Sequence, residues 1–210
     1  MKKIFLAVLL VVNITSFLYA EEAAASGGSG KGSGGEFGGD LRLGYSFPFL
    51  DKTMYSHFDN SSEDPALFIA KQTLLSFAFS SVSLGGGFHY TVVPHVFAPG
   101  LWVDVHFNFL SWLLARAFTD NNFIMLQTGI RFYNQFSVDI VSFEPFFGFN
   151  LAYVRVDEHI KLPIPLMAAG FAFNVDRFSF EYGYNFLPVR VDGRLPGIHR
   201  ITFASSLLPK

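Results

Sequence analysis

From residue 41 onward the chain alternates apolar and polar positions with a period of two. Leu41, Leu43, Tyr45, Phe47 and Phe49 share one face, and Arg42, Gly44 and Ser46 share the other. That is the side-chain period of a half-buried strand. The pattern returns at Val82, Leu84, Phe88, Tyr90 and Val92, set against Ser83, Gly85, Gly87, His89 and Thr91. It is cleanest at Leu101, Val103, Val105, Phe107 and Phe109, opposed by Asp104, His106 and Asn108. Ile124, Leu126, Ile130 and Phe132 oppose Gln127, Gly129 and Arg131, and Phe143, Phe147, Phe149, Leu151 and Tyr153 oppose Ser142, Glu144, Gly148 and Asn150. Three more segments alternate in the same way around Met167–Phe173, Phe178–Phe186 and Ile201–Leu207. Eight segments result, each close to the ~9–11 residues that a tilted membrane strand needs.

The connections alternate in length. Long or medium gaps at about 50–80, 110–121, 155–164 and 188–196 alternate with short ones at 93–98, 134–140 and 174–177. This rhythm predicts a meander with short turns at one end and long connections at the other. Closed on itself, it is an all-β, antiparallel, up-and-down transmembrane barrel. For the tightest turn, parity allows Asn174 to face Arg177 across Val175-Asp176, which pairs Phe173 with Phe178 and Gly170 with Glu181. Pro145 lacks a ladder donor, so a bulge or a late strand start is expected there. The apolar run 66–79 fits an extension of the second strand, an interfacial helix or an extra strand pair. The last would make ten strands.

The N-terminus has a different grammar. Lys2 and Lys3 precede the apolar stretch Ile4–Val12, and Leu18-Tyr19-Ala20 comes before Glu21-Glu22, the layout of a secretory signal peptide cut after residue 20. Residues 21–38, rich in Gly and Ser, are expected to be a flexible periplasmic tether, and 39–210 the barrel. The piece GSGKGS lacks the Gly-Lys-Ser/Thr order of a phosphate-binding loop.

Composition narrows the class. Of the 210 residues 50% are hydrophobic, 18% aromatic and only 15% charged, against about 25% charged in soluble domains. The 27 Phe stand beside 2 Trp, and the mean hydropathy is +0.35. Yet beyond the N-terminus no apolar run reaches the ~20 residues of a spanning helix. A net charge of −2 offers no basic surface for nucleic acid. With no cysteine there is no disulfide, thiolate metal site or thiol nucleophile.

The face opposite the Phe residues is rich in Gly, Ala, Ser, Thr and Asn. A water-facing surface would carry more Lys and Glu, whereas small residues suit the narrow lumen of eight strands. The Phe face is therefore assigned to lipid. The lumen charges nearly cancel: Arg42, Arg131 and Arg200 against Asp104, Glu144 and Glu181. They are read as a structural network, because an unpaired buried charge is very costly. Strand adjacency matches Arg131 with Glu144 and Glu181 with Arg200. His89 and His106 are read as lumen polar residues on adjacent strands, able to meet. The six His show no zinc-type grouping. His57, Asp59 and Ser61 are ordinary loop types, so no enzyme, metal or cofactor is expected.

With export, eight alternating segments and the turn rhythm in hand, the chain resembles the small outer-membrane β-barrels of diderm bacteria, the OmpX/OmpW-like group, over roughly residues 39 to 208. The likeness is architectural, without a motif. Such barrels usually end on an aromatic residue that the assembly machinery reads; this chain ends Ser206-Leu207-Leu208-Pro209-Lys210. The resemblance implies an outer-membrane location, contact with lipid and with the barrel-assembly machinery, and ligands met through loops 50–80 and 110–121. Three functions follow in order: a structural or surface-interaction barrel, a narrow porin-like conduit for small apolar solutes, and a secreted lipocalin-type binding barrel.

Overall fold

The computed structural model describes residues 35–51, 64–92, 97–118, 123–156, 159–160, 164–190, 193 and 195–207. The proposed signal peptide lies outside the described residues, as does the proposed tether up to residue 34. The strands are β1 Glu36–Leu50, β2 Ser81–Thr91, β3 Phe97–Phe107, β4 Phe123–Val138, β5 Val141–Val156, β6 His159–Ile160, β7 Ile164–Val175, β8 Phe178–Phe186 and β9 Gly197–Ser206. Two helices, α1 Pro65–Ala78 and α2 Phe109–Phe118, stand between β1 and β2 and between β3 and β4.

Each long strand pairs antiparallel with its sequence neighbour, β1 pairs with β9, and β4 with β5, so the sheet closes. The two-residue β6 only extends the edge of β5. The wall therefore has eight strands. Closure answers the main requirement of a chain in lipid, which offers backbone groups no outside partner. Both described ends of the chain, the β2 and β3 ends that face each other, and the β4–β5 and β7–β8 turns lie at one rim, and the two helices at the other.

The two faces have the polarity of a bilayer-spanning barrel. Outside, Leu84, Phe88, Ile130, Phe132, Phe149 and Phe203 are each about half exposed. Inside, Asp104, Gln127, Arg131, Glu144 and Arg200 are buried. A soluble fold would show the reverse.

Several local expectations change. The turn before β8 is Asp176-Arg177, with Val175 facing Phe178 and Phe173 facing Phe180. The register thus lies two residues from the parity estimate, which leaves every face unchanged. The cause is local: Asp176 adopts φ +52°, a left-handed conformation that Asp tolerates and the β-branched Val175 does not. Asp139, at φ +56°, makes the equivalent turn with Ile140, so β4 continues to Val138. Pro145 causes no bulge: β5 runs unbroken and Pro145 faces Phe171 in register, while rungs to β4 lapse between the Tyr133–Phe146 and Phe136–Phe143 pairs. β1 begins at Glu36, ahead of the expected start at 39. Run 66–79 is helix α1 rather than a strand pair, which excludes ten strands, and residues 110–118 of the expected loop are also helical.

Since the protein has no cysteine, the β7–β8 register can be tested by cross-linking. Phe173→Cys with Phe180→Cys should oxidise to a disulfide, because directly opposed residues have Cα atoms about 4.5–5.5 Å apart. Phe173→Cys with Phe178→Cys should not. The opposite result would restore the Val175-Asp176 turn.

Candidate functional site: the filled bore

Eight strands leave a bore only wide enough for side chains, and here the long ones cross it. Arg42 on β1 reaches Glu144 on β5, the strand diametrically opposite. Its two terminal nitrogens donate to the two carboxylate oxygens at 3.1 and 3.0 Å. Its Nε donates to Asp40 at 2.5 Å. Arg131 on β4 pairs with Glu181 on β8 at 2.6 Å and with Asp104 on the adjacent β3. Arg200 on β9 donates to Gln127 on β4, again the opposite strand. Bidentate and charge-assisted contacts of this kind are the strong end of the hydrogen-bond range.

All six sequence-derived charges therefore face the bore, but their partners differ from strand adjacency. Arg131 faces Gly148, not Glu144, and its carboxylates come from β3 and β8. Arg200 faces Gly183 and ends on an amide, while Glu181 belongs to Arg131. The physical reason is reach: in so narrow a bore a guanidinium meets the far wall as readily as its neighbour. Asp40 is a seventh lumen charge. It shares the parity of Arg42 and lies one residue before the alternation recognised in the sequence.

The two lumen histidines do not meet. His106 sits opposite Ser83, and His89 opposite Gly100. Six residues of β2 separate the two levels, about 20 Å of strand. His106 lies 3.4 Å from Asp104 and 3.5 Å from the Ser46 hydroxyl, which also bonds Thr202 at 2.7 Å. His89 packs over Gly38, where a Cβ would come within 2.4 Å of the ring.

Three aromatics complete the plug: Trp102, Tyr133 and Phe146, all at least nine-tenths buried. The Arg42 guanidinium carbon lies 4.8 Å from the Trp102 ring centre, and that of Arg131 4.6 Å from Phe146. Cations over ring faces in this range are attracted by the ring quadrupole. Space for these rings comes from glycines on adjacent strands. A Cβ at Gly85 or Gly87 would stand 2.5 or 2.6 Å from Trp102, and one at Gly170 2.7 Å from Phe146. The sequence signal was parity: Trp102 is two residues from Asp104, Tyr133 two from Arg131, and Phe146 two from Glu144. An apolar residue in phase with charges is a lumen residue.

Between Arg42, Trp102, Arg131, Tyr133, Glu144 and Phe146 the remaining void is about 20 Å³, and a second beside Asp104, His106 and Arg200 is about 10 Å³. A single water needs roughly 10–15 Å³ measured this way. Among the described residues no group of three or more His, Asp or Glu is placed to hold a metal ion.

A second polar group sits outside, near the helix-bearing rim. The Tyr182 hydroxyl lies 2.7 Å from His199 Nδ1, and the Tyr184 hydroxyl, with one proton to give, lies 3.1 Å from Asp51 Oδ2 and 2.8 Å from the Leu195 carbonyl oxygen. An aromatic body with a bonded polar tip suits the lipid–water boundary.

No family model and no curated protein matches the chain. Among solved structures it is similar to Ail, the attachment invasion locus protein of Yersinia pestis, at 11% identity and a TM-score of 0.40, covering 80% of this chain and 97% of that one. It is also similar to Neisserial surface protein A, at 10% identity and a TM-score of 0.43, covering 81% and 96%. Neither likeness bears on what this protein binds.

The bore network can be tested by stability in detergent. Glu181→Gln leaves Arg131 with Asp104 alone and should cost about 2 kcal/mol. Arg131→Gln leaves the buried Asp104 and the partly buried Glu181 without their shared cation and should cost more, about 3–5 kcal/mol. The double substitution should cost less than the sum. Small, equal and additive losses in thermal melts would show that the pair is not coupled.

Proposed function

We propose that this protein is an outer-membrane β-barrel that acts as a structural or surface-interaction body and does not pass solutes. The filled bore carries the reading. Arginines tied to the far wall and three packed aromatics leave voids of about 20 and 10 Å³, whereas water-filled diffusion channels are typical of barrels of 16–18 strands. Catalysis has no place in this reading.

The apolar exterior and the alternation of short and long connections support an outer-membrane location with the short turns and both ends of the barrel in the periplasm. Export would use the proposed signal peptide, and insertion would fall to the barrel-assembly machinery. Extracellular ligands would meet the helix-bearing rim, through the expected loops 50–80 and 110–121. The other readings are weaker. An OmpW-like conduit for apolar solutes needs an apolar path, and a lipocalin-type barrel needs an apolar calyx, but in this bore the three aromatics are packed among Arg, Asp, Glu, Gln and Asn.

Conductance across planar bilayers tests the proposal. The wild type should show at most brief, small steps. Trp102→Ala with Phe146→Ala, checked for a folded barrel by its slower-unfolding band, should conduct more. Large, steady wild-type conductance would overturn the closed-barrel reading and favour a porin-like conduit.

A further inference from the structure

At the helix-bearing rim the strands stop at different heights. Pairing of β1 with β2 ends at Ser46–Ser81, yet β1 continues to Leu50 along β9. Pairing of β3 with β4 ends at Phe107–Leu126, yet β4 starts at Phe123. Between the upper part of β1 and the upper part of β4 the ladder is therefore missing. The two helices stand in that gap: α1 packs on β1, α2 on β4 and β2, and the helices on each other.

Side chains make the joints. Gln72 of α1 donates to the Leu50 carbonyl at 3.2 Å, capping the free edge of β1. Ser111 of α2 donates to the Ala78 carbonyl at the end of α1. Asn108 donates its side-chain amide to Phe79 at 2.5 Å and its backbone N–H to Met125 of β4 at 3.2 Å.

The polarity of the helices is that of the wall. The buried residues are polar: Gln72 and Ser76 on α1, Ser111 on α2. The outward ones are apolar: Leu74 is 70% exposed, Phe77 57% and Leu113 44%. A helix on a water-facing rim would be the other way round. The level fits as well. Gln72 meets β1 at Leu50, next to the rung of Phe49 and His199, and Ser80 meets it at Tyr45 through a 2.6 Å hydroxyl contact. The C-terminal half of α1 thus runs beside β1 residues 45–50, at and below the level of the Tyr184–His199 pair that marks the lipid boundary.

We infer that α1 and α2 are a helical section of the membrane wall, whose outward face is covered by lipid acyl chains. This rests on the membrane reading above, and its support is continuity: the apolar belt of the strands passes onto the helices with the same inside-outside rule.

Single cysteines at Leu74, Leu113 and Phe203, and one at Asp176 as the water-exposed reference, allow the test. Each variant carries a bimane fluorophore in phosphatidylcholine vesicles and meets either nitroxide-labelled phosphatidylcholine or aqueous iodide. The Leu74 and Leu113 probes should be quenched by the lipid nitroxide to within about twofold of the Phe203 probe, and little by iodide. Iodide quenching at Leu74 and Leu113 with lipid quenching at Phe203 overturns the inference and leaves the membrane reading standing. Iodide quenching at all four overturns both. Copper-phenanthroline oxidation of unlabelled Leu74→Cys to a dimer in vesicles would show a second copy over this face, which also overturns the inference.

Discussion

Closing a sheet with only eight strands fixes the width of the bore, and most of this molecule follows from that width. The ladder has to close because lipid supplies no partners for backbone groups. Once closed at this size, the interior has no room for water in bulk and must be filled by side chains. Arg42 and Glu144 are 102 residues apart in sequence and meet across the diameter. Arg200 meets Gln127 in the same way. Each bond ties opposite walls together, so the network braces the barrel as well as neutralising it.

The same width accounts for the glycines. A Trp, a Tyr and a Phe cannot share a bore with three arginines unless neighbouring positions give up their side chains. Gly85 and Gly87 do so beside Trp102, as Gly170 does beside Phe146. The cost of glycine in a strand, roughly 0.5–1 kcal/mol relative to Ala, is offset by burial of a ring and by the cation held against it. Where two strands fall short, the inside-outside rule persists in another backbone form. Helices α1 and α2 turn Gln72, Ser76 and Ser111 inward and present Leu74, Phe77 and Leu113 outward.

Alternation made the faces legible, because a strand repeats every two residues and the lumen and lipid differ so sharply. The six charges share the parity of the small and polar residues, and their side chains meet one another or other polar groups across the bore. Their partners were not legible, since strand adjacency is all that a meander discloses and these bonds skip across the bore. Trp102, Tyr133 and Phe146 are hidden in the alternation, because an apolar residue reads as lipid-facing unless its phase is compared with the charges beside it. Parity alone does not fix the register at Asp176: it allows Val175 in the turn, whereas backbone preference puts Asp176 there and keeps Val175 in β7. In α1, two polar residues four apart among apolar ones, Gln72 and Ser76, were the trace of a helix with a polar inner face.

The central claim is that a closed barrel with an apolar exterior holds this chain in a membrane. Its most direct measurement is the behaviour of the native protein after cell fractionation. It should remain with carbonate-washed outer membranes, need detergent for extraction, and migrate differently on an SDS gel before and after boiling, because a closed ladder resists SDS until heated. Recovery as a detergent-free soluble periplasmic monomer, with identical mobility boiled and unboiled, would contradict the account.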